Sequence, residues 1–319
     1  MTDLLISLSI MATAGLLAGI AGVRLQYHAD RSGRWSAVTA IQLLTTIAML
    51  AYLNWIWDQP FLARLFPFSS AIILGNWFPV AGAFFAGICA ATSRINRSRR
   101  MTLVVTLLLL CSYSLVNPLL GRSPNCLPQA SADRLMEYQT TDQTCSAACA
   151  AGLLKLHAID ATENELSRLC LTREGTHWLG IYRGLKLKTE GTEWDVVVEE
   201  VTREQLLSHP NLKGILALSF VNDSSRTHDT GFGSQTGHTV ICFGTTEVRT
   251  IGVFDPSPDF GFESWNDRVL EGIEKAILFR LESRSGNPSP FSRIDSFRPS
   301  TWNHSRSLAS VVAKNQERQ

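Results

Sequence analysis

The first 121 residues are dominated by uncharged, mostly apolar stretches that do not recur later in the chain. Four of them, at residues 4–23, 35–57, 65–93 and 101–121, contain no Asp, Glu, Lys or Arg. Each is long enough to cross a hydrocarbon core as a helix, which takes roughly 20 residues. We therefore predict an all-α bundle of four transmembrane helices over residues 1–121. Pro67, Asn76 and Pro79 interrupt the third stretch, so its span is expected to start near Ile72 or to be kinked.

The short segments between these stretches differ in their basic residues. Seven arginines lie in the segments that join the first stretch to the second and the third to the fourth, whereas the opposite side has only Arg64. Such segments stay in the cytoplasm by the positive-inside rule. We therefore predict a multi-pass protein in the lipid bilayer, with the N-terminus and everything after Gly121 extracytoplasmic.

Charge divides the chain at the same place. Residues 1–122 hold nine basic and three acidic residues, and residues 123–319 hold 20 basic and 25 acidic ones. An acidic second part without a basic stripe has nothing to neutralise phosphates, so nucleic acid is not expected as a partner. The sequence also contains no Walker-type Gly-Lys-Ser/Thr motif, and we predict no ATP-binding domain in this chain.

In the second part, helical patterns precede strand patterns. Three helices are predicted: the Ala-rich segment 145–156, a segment opened by the capping box at 162–165 and running to about Cys170, and one that starts at Thr176. Short β-branched segments predict strands at 195–201, 214–221, 238–243, 250–254 and 276–281. This order predicts an α+β domain over residues 137–283. A linker over 122–136 and a disordered tail over 284–319 complete the predicted organisation.

Cys145 is the candidate nucleophile. It begins the Ala-rich helix, where unpaired N–H groups and the positive end of the dipole lower the pKa of a thiol. Cys149, one turn further in, is expected to be inert in an apolar setting. Five cysteines follow the predicted spans, so in an oxidising compartment at least one stays unpaired within the chain. A disulfide from Cys145 to Cys126, Cys149 or Cys170 therefore stays open as an alternative.

His238 and Asp255 are the candidate partners of this thiol, since a thiolate enzyme needs an imidazole and a group that orients it. His238 opens one predicted strand and Asp255 closes the next. In a hairpin that turns at residues 246–247, positions whose numbers sum to 493 face each other, which places His238 opposite Asp255. A metal site of Cys145, Cys149 and a histidine is the competing interpretation, although no second pair of ligands accompanies it.

These residues resemble the C39 family of papain-like cysteine peptidases, best known as the leader-peptide-cleaving domains of bacteriocin exporters. The resemblance covers about residues 137–263 and includes Gly237-His238-Thr-Val-Ile and Val253-Phe254-Asp255-Pro256. Gln139, six residues before Cys145, matches the family's oxyanion-hole glutamine, with Gln143 as a competing candidate. The family's glycine after the nucleophile is Ser146 here, and the family's exporters carry the peptidase before their spans.

The resemblance implies a papain-like fold and hydrolysis of a peptide or protein substrate by Cys145, His238 and Asp255, with Gln139 at the oxyanion. It implies neither a cofactor nor a metal. Two other functions fit the same residues. One is a binding or sensor module of this fold without turnover, and the other is acyl transfer to an amine in place of water.

Overall fold

The computed structural model describes residues 2–128, 136–220, 237–245 and 250–286. The chain divides into two compact units, Met1–Gly121 and Arg122–Gln319. The predicted turn at residues 246–247 and most of the predicted tail, residues 287–319, lie outside the described residues. The middle of the predicted linker, residues 129–135, does so as well.

The first unit is helical throughout its described part. Its elements are α1 (Thr2–Ser32), α2 (Trp35–Trp55), α3 (Phe61–Leu65), α4 (Ala71–Leu74), α5 (Phe78–Ala91), α6 (Arg97–Val116) and a 3-10 turn (Asn117–Leu119). Four segments are long and apolar enough to cross a membrane: Thr2–Ser32, Trp35–Trp55, Ala71–Ala91 and Arg97–Leu119. The third is divided into α4 and α5, at the place where its polar residue and proline predict an interruption.

Glycines allow α1 and α5 to approach each other at backbone distance. A Cβ atom added to Gly87 of α5 would lie 2.1 Å from the carbonyl oxygen of Gly19, and one added to Gly22 would lie 2.3 Å from that of Phe84. Small residues at a helix contact are the usual means of close packing where lipid supplies no hydrophobic driving force. The two glycines thus make this helix pair possible.

Polar groups at the break between α4 and α5 have partners on neighbouring helices. The Tyr52 hydroxyl of α2 donates to the carbonyl oxygen of Gly75. The side chain of Asn76 donates to the carbonyl and the hydroxyl of Ser114 in α6, at 3.0 and 2.9 Å. Non-helical backbone inside a membrane is tolerated where its polar groups are paired in this way.

The two Arg-rich segments lie at the same end of the helical unit. The guanidinium of Arg94, between α5 and α6, lies 3.7 Å from the ring centre of Trp35 at the start of α2. Ser93 also donates to the Asp30 carboxylate near the end of α1, at 3.4 Å. Stacking on tryptophan stabilises a guanidinium in this position.

In the second unit three helices come first, α7 (Cys145–Leu156), α8 (Glu163–Leu169) and α9 (Trp178–Thr189). The strands and two short helices that follow are β1 (Trp194–Val201), α10 (Arg203–Ser208), β2 (Lys213–Phe220), β3 (Gly237–Thr245), β4 (Ile251–Asp255), β5 (Gly261–Trp265), α11 (Asp267–Leu270) and β6 (Ile273–Ser283). The strands form one sheet in the order β1-β6-β2-β3-β4-β5, and every neighbouring pair is antiparallel. Helices followed by an antiparallel sheet confirm the α+β class.

Apolar residues of the sheet form a core with the two short helices. Leu206 and Leu207 of α10 and Leu270 of α11 pack with buried residues of all six strands, among them Leu216 and Val253. The strand β5 was not predicted from the sequence, because its segment Gly-Phe-Glu-Ser-Trp contains none of the β-branched residues that mark the predicted strands. The third helix begins at Trp178 and not at Thr176, since the ring Nδ1 of His177 accepts the N–H of Leu179 as an N-cap.

The predicted register between β3 and β4 is wrong by two residues. Ile241 pairs with Phe254 and Cys242 with Val253, so the paired numbers sum to 495 near the end of β4. A bulge between Cys242 and Gly244 shifts the register again towards the turn, and Gly244 adopts a φ of 94° there. Because side chains alternate between the faces of a sheet, a displacement of two residues keeps the predicted pair on one face.

Candidate active site

Cys145 is the first residue of α7, a helix whose body is buried. Ala147, Ala148, Cys149 and Ala150 have no exposed surface, whereas Cys145 itself is partly exposed. The N-cap residue Thr144 gives the helix no side-chain cap, and its hydroxyl donates instead to the carbonyl of Thr141, at 2.9 Å. The first N–H groups of α7 therefore remain available to stabilise a negative charge at residue 145.

His238 and Asp255 lie side by side at the ends of their strands. The carboxylate can only accept, so His238 Nε2 donates to Asp255 Oδ2, at 2.8 Å. The second carboxylate oxygen accepts the backbone N–H of Ser257, also at 2.8 Å. Both side chains are buried, Asp255 almost completely. With the register as observed, Asp255 is diagonal to His238 and not directly opposite, a separation that long side chains can bridge.

The His238 ring also bonds to Cys145, and the charges of the three groups depend on each other. Burial alone would raise the pKa of the Cys145 thiol, but the hydrogen bond and the positive charge of His238, with the hydroxyls of Ser146 and Thr239, lower it. Burial would lower the pKa of His238, yet the hydrogen bonds and negative charges of Asp255 and Cys145 raise it to about 10. These directions favour a thiolate–imidazolium pair near neutral pH.

Cys149 differs from Cys145 although both lie on α7. Burial is the main cause that raises the pKa of Cys149 well above its usual range. The negative charges of Cys145 and Asp255 raise it further. Its thiol donates to the carbonyl oxygen of Thr239, at 3.3 Å. A protonated thiol engaged in this way is a poor nucleophile.

Two buried glutamates fix the segment that leads to Cys145, and no sequence motif indicates a role for either. Glu137 accepts from Lys155 Nζ of α7 and from the backbone N–H of Glu163 in α8, both at 2.6 Å. The carboxylate of Glu163 in turn accepts the N–H and the hydroxyl of Thr140, at 2.8 and 2.9 Å. Their effect is to bind the chain at residues 137–140 to both helices.

Gln139 is tied to the other side of the site. Its backbone N–H donates to the carbonyl of Pro256, the residue after Asp255, at 2.7 Å. The preceding ring, Tyr138, packs edge-on against Phe254 with 5.2 Å between centroids. The side-chain oxygen of Gln139 is buried and has no hydrogen-bond partner within the described parts of the chain. Gln143, the competing glutamine, is exposed in the turn before α7.

The structure thus brings Cys145, His238, Asp255 and the backbone of Gln139 into one region of the second unit. All seven cysteines, each in a described segment, are free thiols, so Cys145 carries no disulfide. The described residues include no cluster of three or more His, Cys, Asp or Glu side chains arranged to hold a metal ion.

Comparison with known proteins gives distant structural neighbours. No protein-family model matches the chain, and no curated protein matches it. The peptidase domain of Streptococcus ComA, described as a bi-functional ABC transporter involved in a quorum sensing pathway, is similar at 15% identity and a TM-score of 0.36 over 45% of this chain and 96% of that one. The peptidase domain of Streptococcus mutans ComA is similar at 17% identity and a TM-score of 0.31, over 46% and 99%.

Proposed function

We propose that the protein is a membrane-anchored, C39-like cysteine peptidase that hydrolyses peptide bonds with a Cys145-His238-Asp255 triad. One observation carries the proposal. The thiol of Cys145, at a helix N-terminus without a side-chain cap, interacts with the ring of His238, and Nε2 of that ring donates to the buried carboxylate of Asp255. Nucleophile, base and orienting group are the three parts that covalent peptide hydrolysis requires.

In the first half-reaction the Cys145 thiolate attacks the carbonyl carbon of the substrate, and a C–S bond forms while the carbonyl oxygen takes the negative charge. Since Nε2 of His238 is bonded to Asp255, Nδ1 is the nitrogen that serves Cys145 and the substrate. When the tetrahedral intermediate collapses, the C–N bond breaks and the leaving amine takes the Nδ1 proton. The products are a free amine and a thioester on Cys145.

In the second half-reaction His238 accepts a proton from water, and the resulting hydroxide equivalent attacks the thioester carbonyl. Collapse of this intermediate breaks the C–S bond, releases a carboxylic acid and restores the thiolate with a protonated His238. Asp255 stays ionised throughout, because its task is to hold the ring and to stabilise the imidazolium. No cofactor or metal takes part in these steps.

Gln139 is the proposed donor to the oxyanion. Its backbone is bonded to Pro256, and its buried side-chain oxygen has no partner in the described segments, so the amide is not committed to other groups. The two ends of an amide exchange by a half-turn, which allows the NH₂ group to point towards a developing oxyanion. Removal of one such donor typically costs about 10²–10³ in kcat.

The proposed setting is the extracytoplasmic face of a membrane. Four long apolar helices are available as spans, and the two Arg-rich segments lie at one end of the helical unit. By the positive-inside rule this end faces the cytoplasm, which places residues after Gly121 outside. The substrate is then a peptide or protein that reaches the outer face.

A peptide library tests the proposed activity. Full-length protein in detergent is incubated with a tryptic digest of a bacterial proteome, and mass spectrometry records new peptide termini. We expect cleavage by the wild type and none by Cys145→Ser, whereas the Cys126→Ser control keeps the wild-type cleavages. An epoxysuccinyl peptide is expected to label Cys145 and to lose this reaction in His238→Ala. Cleavage that persists in Cys145→Ser would contradict the proposal.

A further inference from the structure

Thr239, the residue after His238, is held by α7 at two points. Its hydroxyl Oγ1 lies 2.8 Å from the hydroxyl Oγ of Ser146. Its carbonyl oxygen accepts the thiol proton of Cys149, at 3.3 Å. All three residues are buried, so neither bond has to compete with bulk water. The strand is thereby fixed to the helix through a side chain and through its backbone.

These two bonds act on the neighbours of the reacting groups. Ser146 follows Cys145 on the helix, and Thr239 follows His238 on the strand, so the contact joins the two elements one residue away from the thiol and the imidazole. Pairing of His238 with Leu218 of β2 holds the strand from its other side. Rigid elements joined this closely leave the sulfur and the ring little freedom to separate.

The hydroxyl pair, formed by Ser146 Oγ and Thr239 Oγ1, also has a proton to spare. Two hydroxyls carry two protons, and the bond between them uses one. The second proton is available to an acceptor beside the pair, and hydrogen bonding by these hydroxyls lowers the pKa of the Cys145 thiol. A thiolate that accepts a hydroxyl proton is stabilised relative to the thiol, and hydrogen bonds to charged groups are the stronger kind.

We infer that the hydroxyl pair is a positioning device, which donates one hydrogen bond to the Cys145 thiolate and fixes the sulfur against His238. Ser146 and Thr239 are then positioning residues and take no part in bond making. This inference rests on the proposed function, since it assigns the pair a task at the same thiolate.

The pH profile of Cys145 alkylation tests this inference. Full-length protein in detergent reacts with iodoacetamide between pH 4 and 10, and peptide mass spectrometry gives the rate at Cys145. Loss of one hydrogen bond to a charged group should lower the rate at pH 6 about tenfold in Thr239→Val and in Ser146→Ala, and move the profile to higher pH. Thr239→Ser restores the hydroxyl and should restore the profile.

The control uses a second hydroxyl pair of the same length. Thr172 and Thr176, in the turn between α8 and α9, have their hydroxyl oxygens 2.8 Å apart, and Thr172→Val should leave the alkylation profile unchanged. If Thr239→Val fails to fold, Ser146→Ala tests the inference alone. Residue 146 lies in a helix and alanine is the best helix former, so this variant should fold. Circular dichroism establishes that each measured variant is folded.

The outcomes separate this inference from the proposed function. A wild-type profile in both Thr239→Val and Ser146→Ala, with a displaced one in His238→Ala, would overturn the positioning role alone. Displacement in Thr172→Val by as much as in Thr239→Val would overturn it too, since the effect would then be one of stability. A profile that His238→Ala leaves unchanged would overturn both proposals.

Discussion

Replacement of Asp255 by asparagine tests the electrostatics of the site most directly. Asparagine has the same shape, and its oxygen can keep the bond from the N–H of Ser257. Its NH₂ group then faces His238 Nε2, which must become an acceptor. The ring proton moves to Nδ1, the nitrogen that serves Cys145, and the ring loses its charged partner. Both changes remove the thiolate–imidazolium pair.

The magnitude follows from the geometry. The His238 and Asp255 side chains are bonded at 2.8 Å and buried, so their charge centres lie about 4 Å apart, where a pair at an effective dielectric constant near 20 is worth about 4 kcal/mol. Since about 1.4 kcal/mol is a factor of ten, the protonation equilibrium of the ring changes by about a thousandfold. Allowing for rearrangement around the amide, we expect the rate of Cys145 alkylation at pH 6 to fall roughly a hundredfold or more.

The pH profile of the Cys145 alkylation rate shows the direction in which the pKa of the thiol changes. In the wild type the ion pair should persist from the lowered pKa of Cys145 up to that of His238, about 10. In Asp255→Asn the rise in reactivity should move to higher pH, towards that of an isolated buried thiol. Asp195→Asn is the matched control, because Asp195 lies on the edge strand β1, away from the site, and its carboxylate also pairs with a cation, Lys186 of α9. Equal rates at pH 6 in the wild type and Asp255→Asn would refute the reasoning.

Three further predictions concern stability. Glu137→Ala removes a buried carboxylate that accepts from Lys155 and from the N–H of Glu163, and should lower the free energy of unfolding by about 1–3 kcal/mol, measured with urea, whereas Glu137→Gln, which keeps the size and an acceptor oxygen, should lose less. Gly87→Ala should lower the melting temperature in detergent, because its Cβ would lie 2.1 Å from a backbone oxygen of α1. The control Gly15→Ala should leave the melting temperature unchanged, because its Cβ would meet its nearest neighbour at 3.7 Å. Gly184→Ala places its Cβ 2.3 Å from the thiol at the end of α8 and should cost about 1–3 kcal/mol, and an unchanged urea midpoint would contradict this packing.

Patterns that depend on neighbouring residues were readable from the sequence. The apolar stretches predicted four long helices, and the Ala-rich run predicted α7 from Cys145 to Leu156, as observed. The capping box predicted the start of α8, where the Thr162 hydroxyl accepts the N–H of Glu165. In each case the signal and the structure it determines lie within one element.

Features that depend on distant residues were not readable. The register between β3 and β4 was predicted without the bulge, although a glycine inside a strand, here Gly244, is the local signal for one. The pairing of His238 with Asp255 survived the error because the displacement is even. The bonds of Glu137 and the contact of Ser146 with Thr239 join segments that no short-range pattern connects.

The separation of the two halves of the site along the chain has a consequence during synthesis. Ser146 and Thr239 are 93 residues apart, and at about 5–20 residues per second the ribosome needs roughly 5–20 s to cover that interval. Until the strand carrying His238 has been made, the Cys145 thiol of an incomplete chain has no imidazolium beside it to lower its pKa. In the proposed peptidase, the nucleophile is therefore activated only when the strand half has folded onto α7.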